Sequence, residues 1–232
     1  MLKYLQLPFR FNADIMQQEV AQLSNELWKS HYQKLHFTGD WSAIPLRSIG
    51  GKADNIIIAP TKEKTYEDTI LLQACSYIRS VLGHFKCTLQ AVRLLKLSAG
   101  AAIKEHRDTE LNFENGEIRI HIPVVTHEDV EFILDKERMT LKEGECWYMN
   151  FNLPHYINNF SNTDRIHLVI DAQVNDWVKA LFSSTAISNK KEIPEDSFPP
   201  SVQREIIARL REMNTATSNE MADKMEASLE KH

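Results

Sequence analysis

The chain has 232 residues, of which 43% are hydrophobic and 25% are charged, and its formal net charge at pH 7 is −5. This profile is typical of a globular protein with one sizeable core. The acidic balance argues against nucleic acid as the main partner, because a duplex-binding surface needs a basic excess or a basic stripe. No segment approaches the roughly 20 apolar residues that span a bilayer, so no membrane association is expected.

The beginning of the chain, MLKYLQLPFRFNAD, is too short an apolar run for a secretory signal, since Pro8 and Arg10 interrupt it. The three cysteines are odd in number and lack CxxC spacing. They therefore predict neither a disulfide framework nor a zinc knuckle. We expect a cytoplasmic protein.

Residues 1–88 are predicted to form a helical N-terminal part. An amphipathic helix is indicated where apolar residues recur at steps of four, three and four, at Met16, Val20, Leu23 and Leu27. A second helix is predicted to begin with Thr65 as its cap, with Asp68 three residues on, and to end near Gly83. Between them, GDWSAIPLRSIGG predicts an extended segment.

Residues 89–182 change to a strand pattern. Short runs rich in Val, Ile and aromatic residues alternate with turn residues, namely AVRLLKLSAG, GEIRIHIPVV, VEFILD, ECWYMNF and RIHLVIDA. No helix in this region is long enough to serve as a βαβ crossover, which favours an antiparallel sandwich or barrel. We predict a mainly β fold with flanking helices.

Residues 183–232 are predicted to be a polar, proline-containing linker followed by a C-terminal helical extension. In SVQREIIARLREM, the apolar residues Ile206, Ile207 and Leu210 share one helix face. The following segment, TSNEMADKMEASLEKH, opens with a predicted capping box formed by Thr217 and Glu220.

The stretch KEHRDTELN contains HRD, which also occurs in the catalytic loop of protein kinases. Such a loop needs Asn five residues after the Asp to hold a second magnesium ion, but position 113 is Phe. The chain also lacks a GxGxxG loop and a DFG motif. A kinase is therefore rejected.

The same stretch fits a metal site better. Residues i and i+2 of a strand point to one side, so His106 and Asp108 would offer an imidazole and a carboxylate to the same point. His155, in FNLPHYINNFSN, is the candidate third ligand. Two histidines and one carboxylate on one face leave open positions that suit non-haem Fe(II) and oxygen. The alternative is an exposed pair in a turn.

Two strands with an Arg-x-His pattern accompany these candidates. Arg119 and His121 alternate with Ile118, Ile120 and Ile122. Arg165 and His167 alternate in the same way with Ile166, Leu168 and Ile170. An arginine binds a carboxylate through two parallel hydrogen bonds, as a dicarboxylate cosubstrate would require. The alternatives are a water-facing side of the sheet and, for Arg165, a surface salt bridge.

From about Ala91 to Asp171 the sequence resembles the aspartyl/asparaginyl β-hydroxylase family of Fe(II)- and 2-oxoglutarate-dependent dioxygenases. Within that family it is most similar to the bacterial branch of free L-proline cis-4-hydroxylases. The segments that carry the resemblance, in matching order and spacing, are VRLLKLSAGAAIKEHRD, EIRIHIPV, LKEGECWYMNFNLPHYINNFSN and RIHLVIDA. Asp108 stands where the animal enzymes of the family have Gly, which favours the bacterial branch.

The resemblance implies a double-stranded β-helix, a jelly-roll or cupin-like barrel, with residues 1–182 as the dioxygenase domain. It implies that the iron ligands are His106, Asp108 and His155. It also implies that Arg165 pairs with the distal carboxylate of 2-oxoglutarate, and that Arg119 and His121 lie beside the carboxylates of cosubstrate or substrate. Arg93 is the implied substrate-binding residue.

The expected activity is hydroxylation of an unactivated C–H bond in a free, proline-like amino acid or related small molecule. The protein would hold Fe(II), consume 2-oxoglutarate and O₂, and release succinate and CO₂. Ascorbate is a candidate stimulant of this activity. Two alternatives remain open: hydroxylation of Asp, Asn or Pro side chains in a peptide or protein, and a non-enzymatic cupin-like barrel that binds a metal or anion. The helical segments are candidates for docking, capping or homodimerisation.

Overall fold

In the computed structural model of the chain, which describes residues 1–58, 65–109, 111–189, 200–213 and 215–229, two β-sheets are antiparallel throughout. Their thirteen strands are β1 Tyr4–Arg10, β2 Lys29–Ser30, β3 Phe37–Thr38, β4 Trp41–Ile49, β5 Tyr66–Asp68, β6 Leu89–Leu97, β7 Ala102–His106, β8 Glu117–Val125, β9 Val130–Leu134, β10 Glu137–Met139, β11 Glu145–Met149, β12 His155–Asn159 and β13 Arg165–Gln173. The larger sheet has the order β1-β11-β8-β13-β6-β4-β2, with β5 paired to β4. The smaller sheet has the order β10-β9-β12-β7-β3.

The helices lie at the ends of the chain and between early strands. They are α1 Ala13–Ala21, α2 Ile70–Gln73, α3 Ser76–Leu82, α4 Asp176–Asn189, α5 Pro200–Met213 and α6 Ala216–Leu229. Short 3₁₀ turns occur at Asn25–Leu27, Lys34–His36 and Phe113–Asn115. Among the described residues, no helix combines the length and apolar character needed to cross a bilayer.

The two sheets pack face to face over a shared apolar core. The larger sheet contributes Trp41, Leu97 and Met149, and the smaller sheet contributes Phe132 and other buried residues. No strand pairing joins the two sheets within the part of the chain that the structure describes, so the barrel is a double-stranded β-helix that is not closed. This agrees with the predicted mainly β, cupin-like fold.

The other face of the larger sheet is also buried. Helix α1 packs against β8 and α3, and Gln17 Nε2 on α1 donates to Val124 O on β8 at 2.7 Å. Buried Glu19 on α1 accepts from Tyr77 N and Ile78 N at 2.6 and 2.9 Å, which satisfies free N–H groups at the start of α3. The alternative of a water-facing sheet is therefore wrong, because helices cover the isoleucine side and the second sheet covers the other.

Residues 1–88 are less helical than the sequence predicts. Strands β1 and β4 belong to the larger sheet, and α1 ends at Ala21 because Ser24 caps a separate 3₁₀ turn. The helix predicted to begin at Thr65 is also wrong at its start. Residues 66–68 instead form β5, which pairs with β4 and is held by the ion pair of Arg47 with Asp68.

The structure divides into two units, Met1–Thr185 and Ala186–His232. Helix α4 continues to Asn189, so the linker predicted from residue 183 begins with helix, and residues 190–199 lie outside the described residues. In the second unit, α5 and α6 pack around Ile207, Ala222 and Met225. The predicted capping box is displaced by two residues, since Thr215 and Ser218 exchange hydrogen bonds at the start of α6. The assignment of functional domains remains a prediction.

Candidate active site

Three side chains that the sequence singles out converge between the two sheets. His106 ends β7 and is paired across the smaller sheet with His155, which begins β12, and their ring centroids are 4.2 Å apart. Asp108 lies beyond the end of β7, where its N–H donates to Phe151 O at 2.9 Å. One potential ligand atom from each of the three side chains lies within 4.8 Å of the others. The sequence argument assumed that Asp108 lies on a strand with His106. Asp108 lies instead in the loop after β7, and this loop brings its carboxylate to the two histidines.

The two histidines present their Nε2 atoms to this cluster. His106 Nδ1 lies 2.8 Å from Lys104 O, and His155 Nδ1 lies 3.0 Å from Leu153 O. Because a carbonyl oxygen only accepts, each Nδ1 carries the hydrogen and each Nε2 keeps a lone pair. Burial, together with the neighbouring His106, lowers the pKa of His155 to about 4. His155 is therefore in the neutral form that coordinates a metal.

Asp108 is held by a chain of charged groups. Arg119 Nη1 donates to Asp108 Oδ2, while Arg119 Nε and Nη2 donate to the two oxygens of buried Asp171 at 2.6 and 3.1 Å. Arg93 Nη2 also donates to Asp171, at 3.2 Å. Burial alone would raise the pKa of Asp108, but Arg119, His155 and His106 together lower it. Asp108 is thus ionised, with Oδ2 bound to arginine and Oδ1 available to a metal.

Arg165 lies elsewhere in the interior, at the beginning of β13. Its guanidinium carbon is 5.6 Å from the centre of the Phe132 ring, Nη2 donates to His167 Nδ1 at 3.0 Å, and Nε has no partner in the part of the chain that the structure describes. Among the described residues no carboxylate forms an ion pair with it. Burial lowers the pKa of Arg165 to about 9. A buried cation without a counter-ion is costly.

A row of rings connects the candidate metal ligands to Arg165. Phe151 contacts His155 edge-on at 4.7 Å and stacks on His121 at 4.9 Å between ring centroids. His121 Nδ1 in turn lies 3.2 Å from His167 Nδ1. The predicted site residues therefore form two groups: His121 lies with Arg165, whereas Arg93 and Arg119 lie with Asp108.

Two cavities reach these two groups. The first, which we call the small pocket, has a volume of about 200 Å³ and is lined by His31, Tyr32, Gln33, Trp41, Ile58, Tyr66, Gln90, Arg93, Leu95, Asp108, Thr109, Leu111, Glu117, Arg119 and Asp171. The second, the large cavity, has a volume of about 730 Å³ and is lined by Arg10, Phe11, Ala13, Asp14, residues 126–128, Val130, Phe132, residues 138–143, Arg165 and His167.

Sequence reasoning missed several of these residues. Asp171 shares its strand face with Arg165 and His167, so the same alternation, followed to the end of RIHLVIDA, would have found it. No sequence signal marks the aromatic group at the small pocket, where His31 stacks on Trp41 at 3.5 Å and on Tyr32 at 4.6 Å between ring centroids. Burial lowers the pKa of His31 to about 3, so this ring is neutral.

Comparisons with known proteins agree with this geometry. A family model described as Aspartyl/Asparaginyl beta-hydroxylase matches residues 10–174. The curated L-proline cis-4-hydroxylase of Rhizobium meliloti (strain 1021) is 27% identical over 164 residues, which cover 70% of this chain and 56% of that protein. This chain therefore spans little more than half the length of that relative.

Solved structures with related topology are more distant. An oxidoreductase of the 2OG-Fe(II) oxygenase family from Burkholderia pseudomallei has a TM-score of 0.48 at 13% identity, covering 68% of this chain and 77% of the other. The non-heme alpha ketoglutarate dependent epimerase SnoN from nogalamycin biosynthesis has a TM-score of 0.47 at 9% identity, covering 74% and 78%. The family match is the finding that bears on function.

Proposed function

Because the chain belongs to the aspartyl/asparaginyl β-hydroxylase family, we propose that it is an Fe(II)- and 2-oxoglutarate-dependent dioxygenase that hydroxylates a small free amino acid. The observation that carries this proposal is the combination of His106, Asp108 and His155 with a buried Arg165 that has no carboxylate partner among the described residues. The first three residues offer two imidazoles and one carboxylate, a ligand set that suits Fe(II). Arg165 supplies the charge that a dicarboxylate cosubstrate needs.

The ligand atoms of His106, Asp108 and His155 are chemically suited to Fe(II). Both Nε2 atoms keep lone pairs because both Nδ1 atoms donate to carbonyl groups, at 2.8 and 3.0 Å. Arg119 holds one oxygen of Asp108, which leaves the other oxygen as a single ligand. When bound, Fe(II) and 2-oxoglutarate supply the O₂-dependent oxidation that converts C–H into C–OH, with succinate and CO₂ as coproducts.

The protein's own part is to bind, orient and exclude water. Arg165 holds the distal carboxylate of the cosubstrate in an interior where Phe132 and Phe151 displace solvent. Arg119 and Asp171 fix the carboxylate of Asp108, so the metal ligand does not rotate between productive and unproductive orientations. Correct placement of the reacting carbon then depends on the small pocket.

The small pocket supports a free amino acid as substrate. Arg93 is buried there and its Nε has no partner among the residues described, which suits an α-carboxylate, while Leu95, Leu111 and Trp41 provide apolar walls. A volume of about 200 Å³ suits a ligand the size of one amino acid. The similarity to an L-proline cis-4-hydroxylase supports a proline-like substrate. A residue within a peptide lacks the free α-carboxylate, so the peptide-hydroxylase alternative is less favoured.

Succinate release tests the proposal. Purified protein supplied with Fe(II) and 2-oxoglutarate is expected to release succinate faster when the correct free amino acid is added, and that amino acid should gain 16 mass units. Ascorbate, included and omitted in parallel, tests its predicted stimulation. Asp108→Ala should abolish amino-acid-dependent release and metal binding, whereas Glu105→Ala, an exposed carboxylate three residues earlier, should retain both.

The outcome decides between the candidates. Mass gain on a peptide and not on any free amino acid would favour the peptide hydroxylase. Metal binding without consumption of 2-oxoglutarate would favour the non-enzymatic barrel. Undiminished turnover in Asp108→Ala would disprove the assignment of the metal ligands.

A further inference from the structure

Glu117 differs from the other acidic side chains that line the small pocket. The described residues of the lining include three carboxylates, of Asp108, Asp171 and Glu117, and two guanidinium groups, of Arg93 and Arg119. Asp171 accepts from Arg119 at 2.6 and 3.1 Å and from Arg93 at 3.2 Å, and Asp108 accepts from Arg119. These four groups form one network of two positive and two negative charges. Glu117 therefore adds a negative charge that the network does not neutralise.

The contacts of Glu117 leave one of its two oxygens free. Glu117 begins β8, and its Oε1 accepts from Gln90 Nε2 at 3.2 Å. Its Oε2 has neither a hydrogen-bond partner nor an ion-pair partner among the described residues. The side chain is half-buried and lines the pocket, so this oxygen is accessible to a ligand. A carboxylate oxygen only accepts, and its strongest partner is a donor with a positive charge.

Strand alternation directs Glu117 and Arg119 to the same side of the larger sheet. They are two residues apart on β8, which is about 7 Å along the strand, and both line the small pocket. A ligand in the pocket therefore meets the guanidinium groups at one end and the Glu117 carboxylate at the other. A free amino acid carries a carboxylate and an ammonium group on one carbon atom. With a hydrogen bond at each end, it spans a distance of this size.

The aromatic wall of the small pocket also suits a cation. His31, Tyr32 and Trp41 line the pocket, and the His31 ring stacks on both of the others. Because burial lowers the pKa of His31 to about 3, its imidazole adds no positive charge. The faces of phenol and indole rings attract cations. The two arginines are thus the only cationic side chains in the described lining, and Asp108 and Asp171 offset both of them.

We propose that Glu117 binds the ammonium group of the substrate, and so selects a free amino acid over a carboxylic acid of the same shape. This inference rests on the proposed function, because it concerns the substrate pocket of that hydroxylase. Arg93 binds the carboxylate, and Glu117 recognises the second charge of the amino acid. A residue inside a peptide chain has an amide in place of each charged group, so it lacks the charges that both ends of the pocket recognise.

Two ligands with the same ring size test the proposal. L-proline carries both charges, whereas cyclopentanecarboxylate has a carbon atom in place of the amine. Each ligand is titrated by calorimetry into the purified full chain at pH 7, once with Co(II) and 2-oxoglutarate and once with neither. Co(II) takes the place of Fe(II), so that no ligand is turned over. We expect the wild type to bind L-proline about tenfold or more tightly than cyclopentanecarboxylate.

Glu117→Gln separates the charge of this side chain from its structural role. Glutamine keeps the volume of glutamate and can still accept a hydrogen bond from Gln90. The variant should bind L-proline about tenfold or more weakly than the wild type does, and its affinity for cyclopentanecarboxylate should not change. Glu105→Gln, the same change at an exposed position outside the pocket, should bind both ligands as the wild type does.

Four results would each overturn the proposal: unchanged L-proline affinity in Glu117→Gln, equal weakening of both ligands, the same loss in Glu105→Gln, or no binding of L-proline to the wild type under either condition. The binding measurement does not depend on turnover. L-proline binding that depends on Glu117, without succinate release, would support this inference and contradict the proposed hydroxylase. Succinate release that Glu117→Gln leaves unaffected would do the reverse.

Discussion

Asp171 holds Arg119 through both of its carboxylate oxygens, at 2.6 Å from Nε and 3.1 Å from Nη2, and both side chains are buried. Arg119 also donates to Asp108, so the pair contacts one of the candidate metal ligands without being a ligand itself. Asp171 therefore controls how strongly Arg119 attracts the carboxylate that a metal would share.

Asp171→Asn is expected to reduce both stability and metal affinity. Removing one partner of a buried ion pair costs about 3 to 5 kcal/mol, because Arg119 and Arg93 lose their shared counter-ion. Without the charge of Asp171, Arg119 attracts the carboxylate of Asp108 more strongly and competes with the metal for it. The metal affinity should therefore fall about tenfold. Urea denaturation and titration with Co(II) measure the two effects.

Asp135→Asn is the control for that substitution. Asp135 forms an ion pair with Lys3 at the surface, where water screens the charges. We expect a much smaller change in the free energy of unfolding and no change in Co(II) affinity. Equal losses in the two variants would show that Asp171 has no special role.

Arg165→Met should separate stability from cosubstrate binding. The substitution removes a buried cation that has no carboxylate partner among the described residues, so the unfolding free energy without 2-oxoglutarate should rise by about 1 to 4 kcal/mol. The 2-oxoglutarate concentration for half-maximal succinate release should rise about 30-fold or more. Arg138→Met, at the cavity rim, should change neither. A destabilised Arg165→Met variant with normal cosubstrate affinity would contradict the prediction.

Arg93→Met is expected to weaken binding of the amino-acid substrate. Arg93 lines the small pocket and not the large cavity, so the KM for the amino acid should rise about tenfold or more. The KM for 2-oxoglutarate should stay within about twofold. Steady-state kinetics with each ligand varied in turn measure the two constants, and equal increases in both would argue against two separate carboxylate positions.

Stability should fall as the pH drops below about 6.5. Burial, and the nearby charge of Arg165, lower the pKa of His121 and of His167 well below the ordinary value of 6.5. Below that pH the unfolded chain binds protons that the folded chain does not. Each histidine therefore removes up to about 1.4 kcal/mol per pH unit from the free energy of unfolding.

The slope of stability against pH can be assigned to a residue. Urea denaturation between pH 7 and pH 5 should give a shallower slope for His167→Leu than for the wild type. His127→Leu, at an exposed position, should keep the wild-type slope. A slope that does not change in His167→Leu would mean that His167 binds its proton equally in the folded and unfolded chains, and would contradict the prediction.

Local patterns predicted the regular strands and some site residues. The alternation in EIRIHIPVV and RIHLVIDA is a direct result of the two-residue period of a strand, and both runs are long strands of the larger sheet. A different local pattern, the helix-capping signal at Thr65, gave a wrong prediction, because the pairing of β5 with β4 outweighed it. Asp108 was found for an incomplete reason, since a loop and not a strand places it.

By itself the sequence determined the mainly β fold, the family resemblance and the identity of the side chains that converge, because these depend on residue type and short spacing. Only the tertiary structure decided which of those side chains are paired. Register between β8 and β13 brings Asp171 to Arg119, and contacts among His121, His167 and Arg165 fix where each hydrogen lies. Unpaired charge is a property of everything packed around a group, so only the structure could show that Arg165 has no carboxylate partner among the described residues.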